Sequence, residues 1–196
     1  MPPTDSEPTV LIIPGLRDAV AQHWQTLLKV GLRAAGQPVV LVPPMGRENL
    51  DCAARANAIE QAAQAIDGPL LLVAHSGGCI MVAHWARQTS RPVHGALLAT
   101  PPDFDSPMPE GYPTLDQLQA GGWLPVPRQR LPFRSIVAVS RNDPLGAPER
   151  IRALAQAWGS HTADLGEVGH LNPVSGFGEW PQALDFIAQL SAPTTP

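Results

Sequence analysis

The amino-acid sequence predicts an α/β fold: a mostly parallel sheet of about six strands with helices on both faces. Two observations predict it. Short runs of β-branched residues and Leu alternate along the chain with longer segments whose apolar residues recur at helical spacing. That alternation marks strand–helix–strand crossovers. The five stronger strand-like runs are also apolar throughout, as expected of strands covered on both faces. Such a sheet implies right-handed crossovers. It also implies a ligand site beyond the carboxyl ends of the strands, near the point where strand order reverses.

Taken in order, strands are expected at Val10–Ile13, Val39–Val42, Leu70–Ala74, Ala96–Ala99 and Ile136–Val139, with a weaker one at Thr162–Leu165. Between the first two, Ala19–Ala35 carries Val20, Trp24, Leu27, Leu28 and Leu32 at helical spacing. Cys52–Ile66 is an Ala-rich helix with Ile59 on one side. Helices over Gly78–Arg87, Pro148–Trp158 and Trp180–Leu190 complete the alternation. Residues 101–134 break the rhythm. They form a long Pro/Gly-rich connection with one or two helical turns around Leu115–Leu118. Long irregular connections are usually functional or disordered, and Phe104, Tyr112 and Trp123 argue against disorder. A small lid or pocket wall is expected there. Residues 1–8 and 192–196 are polar and Pro-rich, and are expected to fray.

With 196 residues and 44% hydrophobic content, the chain suits one domain with one well-buried core. A net charge of −4 argues against a broad basic surface for nucleic acid or anionic membrane. There is no apolar run of about 18 residues, and MPPTDSEPT does not read as a secretory signal. Cys52 and Cys79, the only cysteines, make neither a disulfide framework nor a zinc site. A cytoplasmic protein without cofactor or metal is expected, as a monomer or small homo-oligomer.

The loops that follow the strands hold the chemistry. After the third comes Ser76, in Ala74-His75-Ser76-Gly77-Gly78. This is a relaxed form of G-x-S-x-G, the strained strand-to-helix turn that holds a serine oxygen out. The positions two before and two after must be small, and Ala74 and Gly78 are. The elbow sets the Gly77 N–H at a helix N-terminus, where it can stabilise developing negative charge. Leu16, after Pro14-Gly15, is the candidate for a second oxyanion donor by its position after the first strand. Asp143 follows the fifth strand and His170 the sixth, in a Gly-flanked loop. A histidine there can take the serine proton and return it to a leaving group, with a carboxylate orienting the ring. Asp103 and Asp105, after the fourth strand, compete with Asp143 for that last role. The order Ser…Asp…His agrees with α/β-hydrolases and not with chymotrypsin or subtilisin. His84, His94 and His161 are expected to be structural or exposed, and His75 to point away from Ser76. Arg17, His23, Trp24, Met108 and Trp123 are candidates for lining a substrate pocket.

Four stretches resemble one known family: LIIPGLRDAVAQHWQ, VAHSGG, VSRNDPLG and GHLNPVSGFGEWPQ. The chain looks like a small α/β-hydrolase of the retinoblastoma-binding-protein-nine-like serine hydrolase family. The resemblance runs from about residue 10 to 187 and implies Ser76 as nucleophile, Asp143 as acid and His170 as base. The sequence departs from the family at Ala74, in place of the common Gly, and in LRDAVAQ, which is not Gly-rich. The L-x-C-x-E motif behind the family's protein contact does not occur, so that partner is not expected. The expected function is hydrolysis of a small-molecule ester, or an amide, through an acyl-enzyme. An acyltransferase, an aminopeptidase-like amidase and a non-catalytic binding protein are the alternatives.

Overall fold

The structure is a computed structural model that describes residues 7–17 and 20–192. The expected frayed tails lie largely outside the described residues, as do Asp18 and Ala19. Six strands form one sheet: β1 (Thr9–Ile13), β2 (Val39–Leu41), β3 (Leu70–His75), β4 (Gly95–Ala99), β5 (Ser135–Val139) and β6 (His161–Asp164). Their order is β2-β1-β3-β4-β5-β6, and every pairing is parallel. The helices are α1 (Trp24–Ala34), α2 (Cys52–Gln64), α3 (Gly77–Trp85), α4 (Leu115–Ala120), α5 (Pro148–Trp158) and α6 (Gln182–Ser191).

The period-2 geometry of strands divides the core in two. Val10 and Ile12 of β1, Leu71 and Val73 of β3, and Leu97 of β4 face α1 and α6. Their neighbours Leu11, Ile13, Leu70, Leu72 and Leu98 face α2, α3 and α5. This is why the central strands are apolar over most of their length: each face has its own helical layer. The expectation holds for the central strands but not for the edges. All but one residue of β6 are exposed, and β2 is only partly buried. An edge strand has one open flank, so Thr162 and Asp164 are tolerated.

The chain reverses direction across the sheet at β1. From β1 it crosses to β2 on one side, then returns past β1 to β3 on the other. The crevice between the carboxyl ends of β1 and β3 is the topological switch point, where ligands of open α/β sheets bind. Gln25 of α1 ties the two strand ends together, its Nε2 donating to the carbonyls of Ile13 and Val73 at 3.1 Å each.

The long connection over residues 101–134 holds only the short helix α4, whose Thr114 and Gln117 form a reciprocal capping box. It is anchored rather than loose. The Trp123 indole N–H donates to the Leu50 carbonyl at 2.8 Å, and the Cys52 N–H to the Gly121 carbonyl at 2.9 Å.

Candidate active site

β3 ends on His75, and α3 begins at Gly77. Ser76 alone makes the turn between them, with φ 55° and ψ −132°. Positive φ is costly for a residue with a side chain. Close packing enforces it here. A Cβ on Gly78 would stand 2.7 Å from the carbonyl oxygens of both Ile13 and Pro14, and one on Gly15 would stand 3.1 Å from the Ser76 Cβ. Small residues are therefore required where the post-β1 loop crosses the elbow. Leu16 lies over Gly77, where an added Cβ would meet the Leu16 side chain at 2.9 Å. Gly77 opens α3, and first-turn N–H groups have no intrahelical acceptor.

The side chains that sequence spacing separates widely converge at this point. The Ser76 hydroxyl lies 2.8 Å from His170 Nε2. On the other side of the ring, His170 Nδ1 lies 2.9 and 3.0 Å from the two Asp143 carboxylate oxygens. With the proton on Nδ1 donated to Asp143, Nε2 is left to accept the serine proton. Both side chains are nearly sealed, His170 at 5% and Asp143 at 3% exposed, so this hydrogen bond works in a low-dielectric setting. Asp143 is held by the Leu145 N–H, which donates to its Oδ1 at 2.9 Å.

His170 is gripped by its backbone as well. Its N–H donates to Ser175 Oγ at 3.0 Å, and its carbonyl accepts from His75 Nε2 at 2.9 Å. The preceding Gly169 N–H donates to Asn142 Oδ1 at 2.7 Å. Sequence reasoning assigned no role to His75, Asn142 or Ser175. Their partners lie 95, 27 and 5 residues away, and only the last is legible as a local motif. His75, expected to point away from Ser76, is buried, and its ring packs 5.0 Å from the His170 ring.

The competing acids are engaged elsewhere. Asp103 binds the Arg150 guanidinium through both oxygens and accepts from Ser106 Oγ at 2.6 Å. Burial pushes its carboxyl up, but Arg150 and Ser106 pull harder and hold it below the usual range. Asp105 pairs with Arg128 at 2.6 Å. Both acids brace the base of the 101–134 connection.

A pocket of about 350 Å³ opens over Ser76. Arg17, His23 and Met108 are among its lining residues. Trp24 and Trp123 are not, which corrects two of the candidates. Trp24 starts α1 in line with Leu28 and Leu32, so helical spacing turns it to the sheet, where it is 1% exposed. Trp123 is fully buried against Phe104 and anchors the connection from below. The apolar wall is supplied instead by Leu16, Phe104, Met108, Tyr112 and Leu145. At its rim, Arg17 donates to the Gly111 carbonyl at 2.8 Å and stacks 4.1 Å from the Tyr112 ring centroid. The post-β1 loop and the 101–134 connection are thus clasped together over the serine.

No cluster of three or more metal-binding side chains occurs among the described residues, and no helix among them is long and apolar enough to cross a membrane. What the arrangement offers is a carboxylate–imidazole–hydroxyl relay in a largely apolar pocket, beside the open N–H groups at the start of α3: parts suited to acyl transfer.

Residues 10–189 match the family model described as serine hydrolase. No curated protein matches the sequence at a significant level. Among solved structures, a YdeN-like hydrolase of Pectobacterium atrosepticum is similar with a TM-score of 0.75 and 28% identity, over 94% of this chain and 91% of that one. The YdeN protein of Bacillus subtilis superposes with a TM-score of 0.73 at 18% identity, over 93% and 98% of the two chains. An esterase domain of a Rhodothermus marinus protein gives 0.63 at 18% identity, over 89% and 83%. At such identities the last two speak for the α/β-hydrolase fold alone.

Proposed function

The chain belongs to the serine hydrolase family, and from that premise we propose that it cleaves small carboxylic esters, without a cofactor, through an acyl-enzyme on Ser76. The 2.8 Å contact between Ser76 Oγ and His170 Nε2, at a strained turn, carries this reading. In the first half-reaction His170 Nε2 takes the serine proton as Oγ attacks the ester carbonyl carbon. The carbonyl π pair moves onto oxygen, and the Leu16 and Gly77 N–H groups face the resulting oxyanion. Collapse expels the alkoxide, which takes the proton from His170 as the alcohol leaves. In the second half water repeats the sequence on the acyl-serine, and the acid is released. Asp143 stays ionised and stabilises the imidazolium each time.

The pocket wall supports esters over the aminopeptidase-like alternative. A substrate ammonium needs a carboxylate partner. Asp143 is committed to His170, and Glu48, also at the pocket, has a 94% exposed side chain facing Arg47.

Intact mass after incubation with a fluorophosphonate tests the reading. One adduct is expected on the wild type and none on Ser76→Ala. A folded wild type that takes up no probe would overturn it in favour of a binding protein on a hydrolase fold.

A further inference from the structure

The ester mechanism leaves His23 unused. It is the N-cap of α1, with extended backbone at φ −70° and ψ 137°, and its Nδ1 accepts the Gln25 N–H at 3.2 Å. A neutral imidazole has one lone-pair nitrogen and one N–H. With the Nδ1 lone pair committed, the proton sits on Nε2, at the far edge of the ring. Among the described residues this N–H has no hydrogen-bond partner, and it is not sealed from solvent as the Trp24 N–H is. The ring lines the pocket. It packs edge-on against His75 at 4.8 Å, and His75 stands 5.0 Å from His170. Three imidazoles thus form one wall running to the base beside Ser76. Burial, and then the charge of His170, push the His23 pKa down to about 4. At neutral pH the ring therefore donates a hydrogen bond without bringing a charge.

We infer that His23 Nε2–H is a substrate-binding donor that selects acyl esters carrying a neutral oxygen acceptor (ether, hydroxyl or carbonyl) close to the scissile carbonyl. The inference rests on the serine-hydrolase reading above. The apolar part of the lining is Leu16, Phe104, Met108 and Leu145. An acceptor facing it would be buried without a partner, whereas one facing His23 is satisfied. An all-alkyl substrate leaves the His23 N–H dehydrated and unpaired, and sites built on such a donor reject analogues that lack the acceptor.

The test compares p-nitrophenyl methoxyacetate with p-nitrophenyl butyrate, and p-nitrophenyl 3-methoxypropionate with the pentanoate. Within each pair a CH₂ becomes an oxygen at constant size. The readout is the kcat/KM ratio of oxygen to alkyl ester, in wild type, His23→Ser and His23→Phe. Differences in intrinsic ester reactivity cancel between enzymes. Ser keeps an oxygen acceptor at the N-cap, so the start of α1 is preserved. For at least one pair the ratio is expected to fall about three- to tenfold in both variants, with fluorophosphonate labelling retained. Ratios unchanged in both pairs, whether the rates drop together or not at all, overturn the inference. So does a wild type that labels but turns over none of the four esters. A wild type that does not label overturns the hydrolase reading itself, and this inference with it.

Discussion

Ser76 pays in backbone strain for its position. At φ 55° and ψ −132° a residue with a Cβ costs about 1–3 kcal/mol, and glycine adopts such angles freely. Ser76→Gly is therefore expected to raise the thermal midpoint by about 2–4 °C, the response to about 1 kcal/mol in a chain of this size, while abolishing labelling and hydrolysis. A lower midpoint would show that the serine hydroxyl stabilises the turn more than its backbone strains it. The other two site residues act with Ser76 as a unit. His170→Ala and Asp143→Asn are each expected to lower kcat/KM by about 10³- to 10⁴-fold, and the double variant by little more than the worse single. Near-normal turnover in Asp143→Asn would count against Asp143, although Asp103 and Asp105 are tied to Arg150 and Arg128.

Among the elements, the 101–134 connection is built like a hinged wall. Its base is tied down by the Asp103–Arg150 pair and by the Trp123 indole, buried beneath it. At its tip, Arg17 contacts Gly111 and Tyr112. Exposed contacts of this kind are weak, about 0.5–1 kcal/mol each, so the tip is expected to loosen before the base. Arg17→Ala is expected to speed amide hydrogen exchange over residues 110–112 and to raise KM severalfold. Exchange at Trp123, inside the anchored base, should stay slow. Because Arg17 follows Leu16 directly, a fall in kcat beyond the KM effect would show that the clasp also sets the position of the Leu16 N–H. Exchange unchanged across the tip would remove the clasp from the account.

At the scale of the whole molecule, His23 and His75 make stability depend on pH, beside His84, whose pKa burial also lowers. Burial first, then His170, lowers His23 from 6.5 to about 4. Burial, His170 and His23 lower the fully buried His75 well below 6.5. Below about pH 6.5 the unfolded chain binds protons at both positions while the folded chain does not, so stability falls as pH falls. For His23 the loss runs from about pH 6.5 down to about 4, where the folded state is protonated too. For His75 it continues lower. Urea unfolding at pH 7.5 and 5.0 is expected to show a lower midpoint at pH 5.0. His23→Ser, lacking one of these groups, should narrow the gap. An equal gap in that variant would mean that His23 is not held neutral by the fold.

The sequence by itself determined the alternation of strands and helices, the parallel sheet and the loops that carry Ser76, Asp143 and His170. Those follow from local periodicity and from small residues at 74 and 78, which are readable without a partner. It also marked residues 101–134 as a long irregular connection. Only the tertiary structure decided which side of each element meets the pocket. Trp24 and Trp123 look like pocket aromatics in sequence. Helical spacing turns the first to the sheet, and burial beneath the connection takes the second. His75 looks like a strand residue facing away, yet it supports the His170 carbonyl across 95 residues of chain. β6 looks like a weak buried strand but is an exposed edge, since strand order is set by crossovers and not by composition. The division has one physical cause. Periodicity and turn chemistry act between near neighbours in the chain, whereas the pocket wall, the grip on His170 and the packing of His23 against His75 depend on contacts between segments that only the fold brings together.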